Sequence, residues 1–230
     1  MIIKSIKKLS LFEVILWLSS LVILMVANIL TGANILVLIA TLFGATALIF
    51  IAKGLPLGPI LSMIYGSIYM FVAYDFGYYG EIAVFLLLSL PTAIYTLITW
   101  LKHPYDESKE VKISRLNKKT LLFTIMCAFV ISIGFYFILE SLNTENLWVS
   151  VFSVFTAMIA ALLMIYRVPY YAIAYALNDI VLITLWVLAS LTSITYIPVV
   201  ICYVIFLIND LYAFTAWMKR RKLQQKDLQS

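Results

Sequence analysis

Two Asn-Asp pairs stand where an apolar chain tolerates them least. Asn178 and Asp179 fall halfway along the hydrophobic run from Tyr170 to Leu191, and Asn209 and Asp210 fall within the run from Tyr196 to Met218. A carboxylate near the centre of a bilayer costs on the order of 3 kcal/mol on insertion scales, so these side chains must face protein or a wet cavity. On the first run Tyr175, Asn178, Asp179, Leu182 and Trp186 share one helical stripe. On the second, Tyr203, Phe206, Asn209 or Asp210, and Ala213 do the same. Aromatic faces beside amides and carboxylates suit a flat heteroaromatic ring joined to a hydroxyl-rich group, because the ring stacks while Asn and Asp take its hydroxyls or amide. A positively charged ring gains further from the same lining. Two other readings stay open: Asn and Asp as polar glue between helices, and the aromatic stripes as core packing.

The elements that must position these residues are membrane helices. The chain has 230 residues, of which 64% are apolar and only 12% charged, with a mean hydropathy of +1.06; that is too little polar surface to coat a soluble globule. Charge-free windows predict helices at Leu11 to Leu30, Ile35 to Ala52, Leu57 to Tyr74, Glu81 to Leu101, Thr120 to Leu139, Leu147 to Tyr166, Tyr170 to Leu191 and Tyr196 to Met218. The expected fold class is an all-α integral membrane protein of about eight transmembrane helices in a single membrane domain spanning 1–230. The first run, preceded by MIIKSIKK, is longer than a signal-peptide core and has no small-residue cleavage site, so it is expected to be retained.

Charge placement orients the bundle. With Met1 in the cytoplasm, every Lys and Arg falls on the inside, from Lys4, Lys7, Lys8 and Lys53 through Lys102, Lys109 and Arg167 to the basic tail at 219–230. The outer turns near Thr31, Asp75, Ser141 to Glu145 and Thr192 carry none, as the positive-inside rule requires. Cations gathered between hydrophobic runs give no nucleic-acid face. The interval 102–119, which mixes Asp106, Glu107 and Glu110 with its cations, is expected to be a solvated cytoplasmic linker.

Chemistry of the catalytic kind is not provided for. His103 is the sole histidine and sits at the membrane edge, Cys127 and Cys202 lie in apolar runs as packed thiols, and no HExxH or GxSxG motif occurs. No enzyme, metal or cofactor is expected. Glu13 and Glu81 lie near helix ends, where interface hydration accounts for them. In the first half of the chain the midplane offers Ser62, Tyr65, Ser67 and Tyr69, then Ser89, Pro91, Thr92 and Tyr95, with Pro91 placed to kink its helix and open carbonyls toward a cavity.

An internal echo suggests a repeat. Tyr95 to Lys102 and Tyr212 to Lys219 both read Tyr-x4-Trp-x-Lys, and each is reached from a proline-marked corner, Leu55-Pro56 or Val168-Pro169. Two parallel triplets follow, at 35–101 and 147–218, with 120–139 as connector and 11–30 as an extra helix. Interfacial aromatic belts offer the plainer explanation of the same residues.

At Pro169-Tyr-Tyr-Ala-Ile-Ala-Tyr-Ala-Leu-Asn-Asp179 through Trp186, and at Phe206-Leu-Ile-Asn-Asp-Leu-Tyr212 through Trp217, the chain resembles the PnuC family of vitamin-precursor transporters. Lys53-Gly-Leu-Pro-Leu-Gly58 and Tyr74 to Glu81 extend the likeness. The resemblance implies a three-one-three arrangement like that of SWEET proteins, a homotrimer in the bacterial cytoplasmic membrane, and nicotinamide riboside as solute. That solute would enter by facilitated diffusion and be trapped by phosphorylation. Thiamine, riboflavin or deoxyribonucleosides are the alternatives the family offers; apart from the resemblance, buried carboxylates can serve as proton relays, which leaves proton coupling through Asp179 or Asp210 open. The candidate site is then Tyr175, Asn178, Asp179, Trp186, Tyr203, Phe206, Asn209 and Tyr212, with Tyr replacing some of the family's stacking tryptophans.

Overall fold

The computed structural model describes residues 9–75, 79–105 and 110–227. Lys4, Lys7, Lys8, the Phe76 to Tyr78 part of one motif, and Asp106, Glu107 and Lys109 lie outside the described residues. Among the described residues eight helices are long and apolar enough to cross a membrane. They are α1 (Leu11–Thr31), α2 (Ile35–Ala52), α3 (Leu57–Asp75), α4, α5 (Lys118–Ser141), α6 (Leu147–Ile165), α7 (Tyr171–Ser190) and α8 (Ile197–Asp227). The fourth, α4, begins as Tyr79–Val84, widens to a π-helical stretch at Phe85–Ser89 and continues as Leu90–Lys102. The predicted spans match within a few residues except at the C-terminus, where α8 runs helical through the basic tail. Its 31 residues make about 46 Å of helix, more than a hydrocarbon layer of about 30 Å, so its last turns stand clear of the lipid.

Packing sets α2, α3, α4, α6, α7 and α8 around a common centre, while α1 leans on α2 and α8 from outside and α5 leans on α6. The exposed faces of α1 and α5 are apolar, with Leu30 79% and Val130 66% accessible, as lipid contact requires. Small residues let the inner helices approach: Ala40, Ala160 and Ala172 are fully buried.

At the end where the cations gather, two corners mirror each other. Gly54 (φ +68) and Arg167 (φ +59) both take the left-handed conformation, each just after its helix (α2 or α6) and just before the prolines Pro56 and Pro169. The tryptophans close the corners crosswise. Trp100 Nε1 donates to the Met164 carbonyl at 3.2 Å and Trp217 Nε1 to the Ile51 carbonyl at 3.0 Å, with the two rings 5.5 Å apart. The third helix of each group thus caps the first helix of the other.

The interval after α4 is not simply solvated. Pro104–Tyr105 (β1) pairs antiparallel with Glu110–Val111 (β2), and the segment that follows is stitched under the helix ends. Val111 N donates to Gly54 O and Ser114 N to Arg167 O, both at 2.9 Å. Gln224 of α8 takes Ile113 N and gives to Val111 O. Backbone groups that a free linker would leave to water are satisfied by the two corners and by the helical tail, which is why Val111 is fully buried.

Glu13 departs from the expectation of interface hydration. Its side chain is 2% exposed, receives Lys53 Nζ at 2.9 Å and the Tyr212 hydroxyl at 2.9 Å, and accepts Ser10 N in a capping box that starts α1. This cluster fastens α1 to the end of α2 and to α8. Glu13→Gln is expected to lower stability by about 1–3 kcal/mol, because it strands a mostly buried ammonium. Gly54→Ala should lower it by about 1–2 kcal/mol, the strain of a Cβ in the left-handed region. Thermal unfolding of the detergent-solubilised variants reads both.

Candidate functional site

A cavity of about 230 Å³ opens between α2, α3, α4, α6, α7 and α8. One water needs roughly 10–15 Å³ on the same measure, so the space admits a solute far larger than a solvent molecule. No residue of α1 or α5 lines it among the described residues.

Several of the expected residues meet here. Tyr175, Asn178 and Asp179 reach the cavity from α7, and Tyr203 and Phe206 from α8. Asn178 is oriented by Thr156 of α6, whose Oγ1 donates to Asn178 Oδ1 at 2.8 Å and leaves the amide nitrogen free to serve as donor. The carboxyl groups of Asp179 and Asp210 meet across the α7–α8 contact, each 3% exposed. Asp179 Oδ2 and the Tyr171 hydroxyl are buried with no hydrogen-bond partner, and both residues line the cavity. Buried polar atoms are almost always satisfied, so orphans at a void point to a polar occupant.

Other expected residues go elsewhere. Asn209 turns back on its own helix, Nδ2 donating to Ile205 O at 2.8 Å. Tyr212 serves the Glu13 cluster. Trp186 lies against a second cavity and meets Tyr69 edge-on at 6.3 Å.

The first half of the chain contributes more than its sequence suggested. Tyr65 and Tyr69 of α3 line the cavity, the Tyr65 and Tyr203 hydroxyls meet, and Tyr65 packs edge-on against Phe206 at 5.9 Å. Two glycines make room for these rings. A Cβ on Gly44 would fall 2.7 Å from Phe206 Cζ, and one on Gly66 would fall 2.0 Å from Phe85 Cε2. In α4, Pro91 has no N–H to continue the ladder, and the helix widens just before it, Leu90 N bonding Phe85 O. Thr92 Oγ1 donates to the Leu88 and Ser89 carbonyls at 2.8 and 3.1 Å, so the loosened carbonyls are met within the helix. The widened turn aims Phe85, Ser89, Thr92 and Thr96 inward, together with Glu81 one turn earlier.

Glu81 and Tyr171 were the residues that sequence reasoning left out, and Asp210, offered there as the alternative to Asn209, is the member of its pair that lines the cavity. A signal existed for each: Glu81, Phe85, Ser89, Thr92 and Thr96 follow helical spacing, Tyr171 precedes Tyr175 by four, and Asp210 adjoins Asn209. The resulting lining carries the carboxyls of Glu81, Asp179 and Asp210 and the phenols of Tyr65, Tyr69, Tyr171, Tyr175 and Tyr203, with no Lys, Arg or His among the described residues.

Comparison with known proteins agrees with this architecture. A nicotinamide riboside transporter PnuC of Neisseria mucosa is 26% identical over 186 residues, covering 79% of this chain and 71% of that protein. The crystal structure of a vitamin B3 transporter PnuC superposes with a TM-score of 0.82 at 26% identity, covering 94% of each chain. The family model described as nicotinamide mononucleotide transporter matches residues 34–219. That match takes in every helix lining the cavity and leaves out α1, and by it the chain belongs to the nicotinamide mononucleotide transporter family, that of the PnuC carriers.

Proposed function

We propose that this protein carries nicotinamide riboside across a bacterial cytoplasmic membrane by facilitated diffusion, and that phosphorylation traps the solute inside. The observation that carries this reading is the sign of the cavity. Glu81, Asp179 and Asp210 stand among tyrosine faces with no basic side chain beside them, which suits a pyridinium cation through cation–π and ion–ion attraction. A phosphate would meet carboxylates where it needs Arg or Lys. The same lining that admits the riboside therefore refuses its phosphorylated product, so trapping follows from the cavity itself.

Residue roles follow from placement. Tyr175, Tyr203 and Phe206 flank the ring, with Tyr171 beside them. Asn178, Asp179 and Asp210 take the carboxamide and ribose hydroxyls. Asn209 and Tyr212 support α8 from behind, and Trp186 acts at the outer end. The cationic end, with both termini, is placed in the cytoplasm by the positive-inside rule. The apolar faces of the outer helices are available for a homotrimer.

A second reading, proton-coupled uptake, is favoured by the meeting of Asp179 and Asp210, a geometry able to hold a proton inside the bundle. An imposed pH gradient separates the two: a uniporter does not concentrate the riboside, whereas a coupled carrier does.

In proteoliposomes, Asn178→Ala is expected to cut nicotinamide riboside uptake about 10-fold at low concentration, the loss of about 1.4 kcal/mol of hydrogen bonding. Asn209→Ala should leave the apparent affinity within a factor of about 2, because its side chain bonds its own helix. Gly44→Ala should weaken binding while the protein still folds, since the new methyl drives Phe206 toward the cavity. Unlabelled riboside should compete with labelled riboside and the mononucleotide should not; equal competition by both would overturn the sign argument.

A further inference from the structure

A second cavity, also of about 230 Å³, lies at the end of the bundle away from the cations. The first turn of α4, the turn between α5 and α6 and the last turns of α7 enclose it, among them Tyr79, Glu81, Glu145, Ser150 and Trp186. No Lys, Arg or His lines it among the described residues. The α5–α6 turn is held close by two left-handed residues, Asn143 and Asn146, both at φ 51. It packs so tightly on α4 that a Cβ on Gly80 would fall 2.6 Å from Thr144 Oγ1.

The two cavities share Glu81. The wall between them is the edge-on pair of Tyr69, which faces the central cavity, and Trp186, which faces the outer one. An acidic, aromatic chamber in series with a second acidic, aromatic chamber, with one carboxylate common to both, is the arrangement expected of two stations on one path for a cation.

We propose that the outer cavity is a vestibule site for a cationic ring. In it Trp186 and Tyr79 supply faces, Glu145 and Glu81 supply charge, and Glu81 passes the cation to the central cavity when the Tyr69–Trp186 pair parts. This rests on the reading of the solute as a pyridinium riboside. Sharing one carboxylate has a consequence: the two stations compete for it, so a cation in one lowers the affinity of the other. The path then moves one solute at a time.

The test uses Ser150→Cys in full-length protein with Cys127 replaced by Ser, reconstituted in proteoliposomes. Two methanethiosulfonate probes are compared, one trimethylammonium-bearing and one sulfonate-bearing, each normalised to its rate with a free thiol. The cationic probe is expected to react at least about 10-fold faster than the anionic one, as an acidic cleft would cause. Glu81→Gln should reduce that ratio by about 3-fold or more. Saturating nicotinamide riboside should slow modification, and complete modification should abolish uptake. A normalised ratio near one, no modification by either probe, or full uptake after complete modification overturns the proposal. Should Ser150→Cys fail to fold, Ala189→Cys, which lines the same cavity from α7 and leaves both carboxylates in place, gives the same readout. If calorimetry finds no riboside binding to the unmodified protein while the charge ratio persists, the solute assignment fails and the vestibule stands.

Discussion

Carboxylates at membrane depth have to be answered from inside the protein, and the rest of this structure follows from that. Asp179 and Asp210 are buried on neighbouring helices with no ion pair to Lys or Arg among the described residues. Lipid cannot solvate them; the two carboxyl groups meet each other across the α7–α8 contact, and Asp179 Oδ2 is left with no hydrogen-bond partner. The partner still open to Asp179 Oδ2 is whatever fills the cavity beside it, which on the proposed function is water at rest and a cationic solute in use. A bundle built only for stability would have placed leucines there.

Holding such a cavity open requires a frame that does not collapse onto it. The frame is tied at the cationic end, where Trp100 and Trp217 close each other's corners and the linker bonds both Gly54 and Arg167. The opposite end has the Tyr69–Trp186 edge contact and the close turn at Gly80. Hydrogen bonds to buried carbonyls tie the first end, whereas ring edges and a short turn meet at the second. On the proposed path the second end is the one that moves, and Glu81, which lines both cavities, lies on it.

The spans were legible because lipid demands long charge-free runs, and the boundaries fall close to those the windows predict. The tail of α8 was not, because its helix beyond the membrane is held by Gln224, Arg220 and Tyr105, contacts that cross more than a hundred residues and leave no local period. The Asn-Asp pairs marked α7 and α8 as polar within, yet identity alone could not say which side chains line the cavity: both of the first pair do, and one of the second. Asp210 reaches the cavity and Asn209 does not, because one residue of helix rotates a side chain by about 100°. Glu13 and Glu81 look alike in sequence, each near a helix start. One is consumed by Lys53 and Tyr212 and the other faces two cavities, a distinction that only the packing of distant helices makes.

What occupies the space beside Asp179 and Asp210 decides how the protein handles its solute. A structure of the protein determined with nicotinamide riboside should show the pyridinium ring among Tyr171, Tyr175 and Tyr203, with the carboxamide or ribose within hydrogen-bond distance of Asn178 and an aspartate. Density for the riboside at another place, with the cavity beside the two aspartates collapsed, would contradict this account.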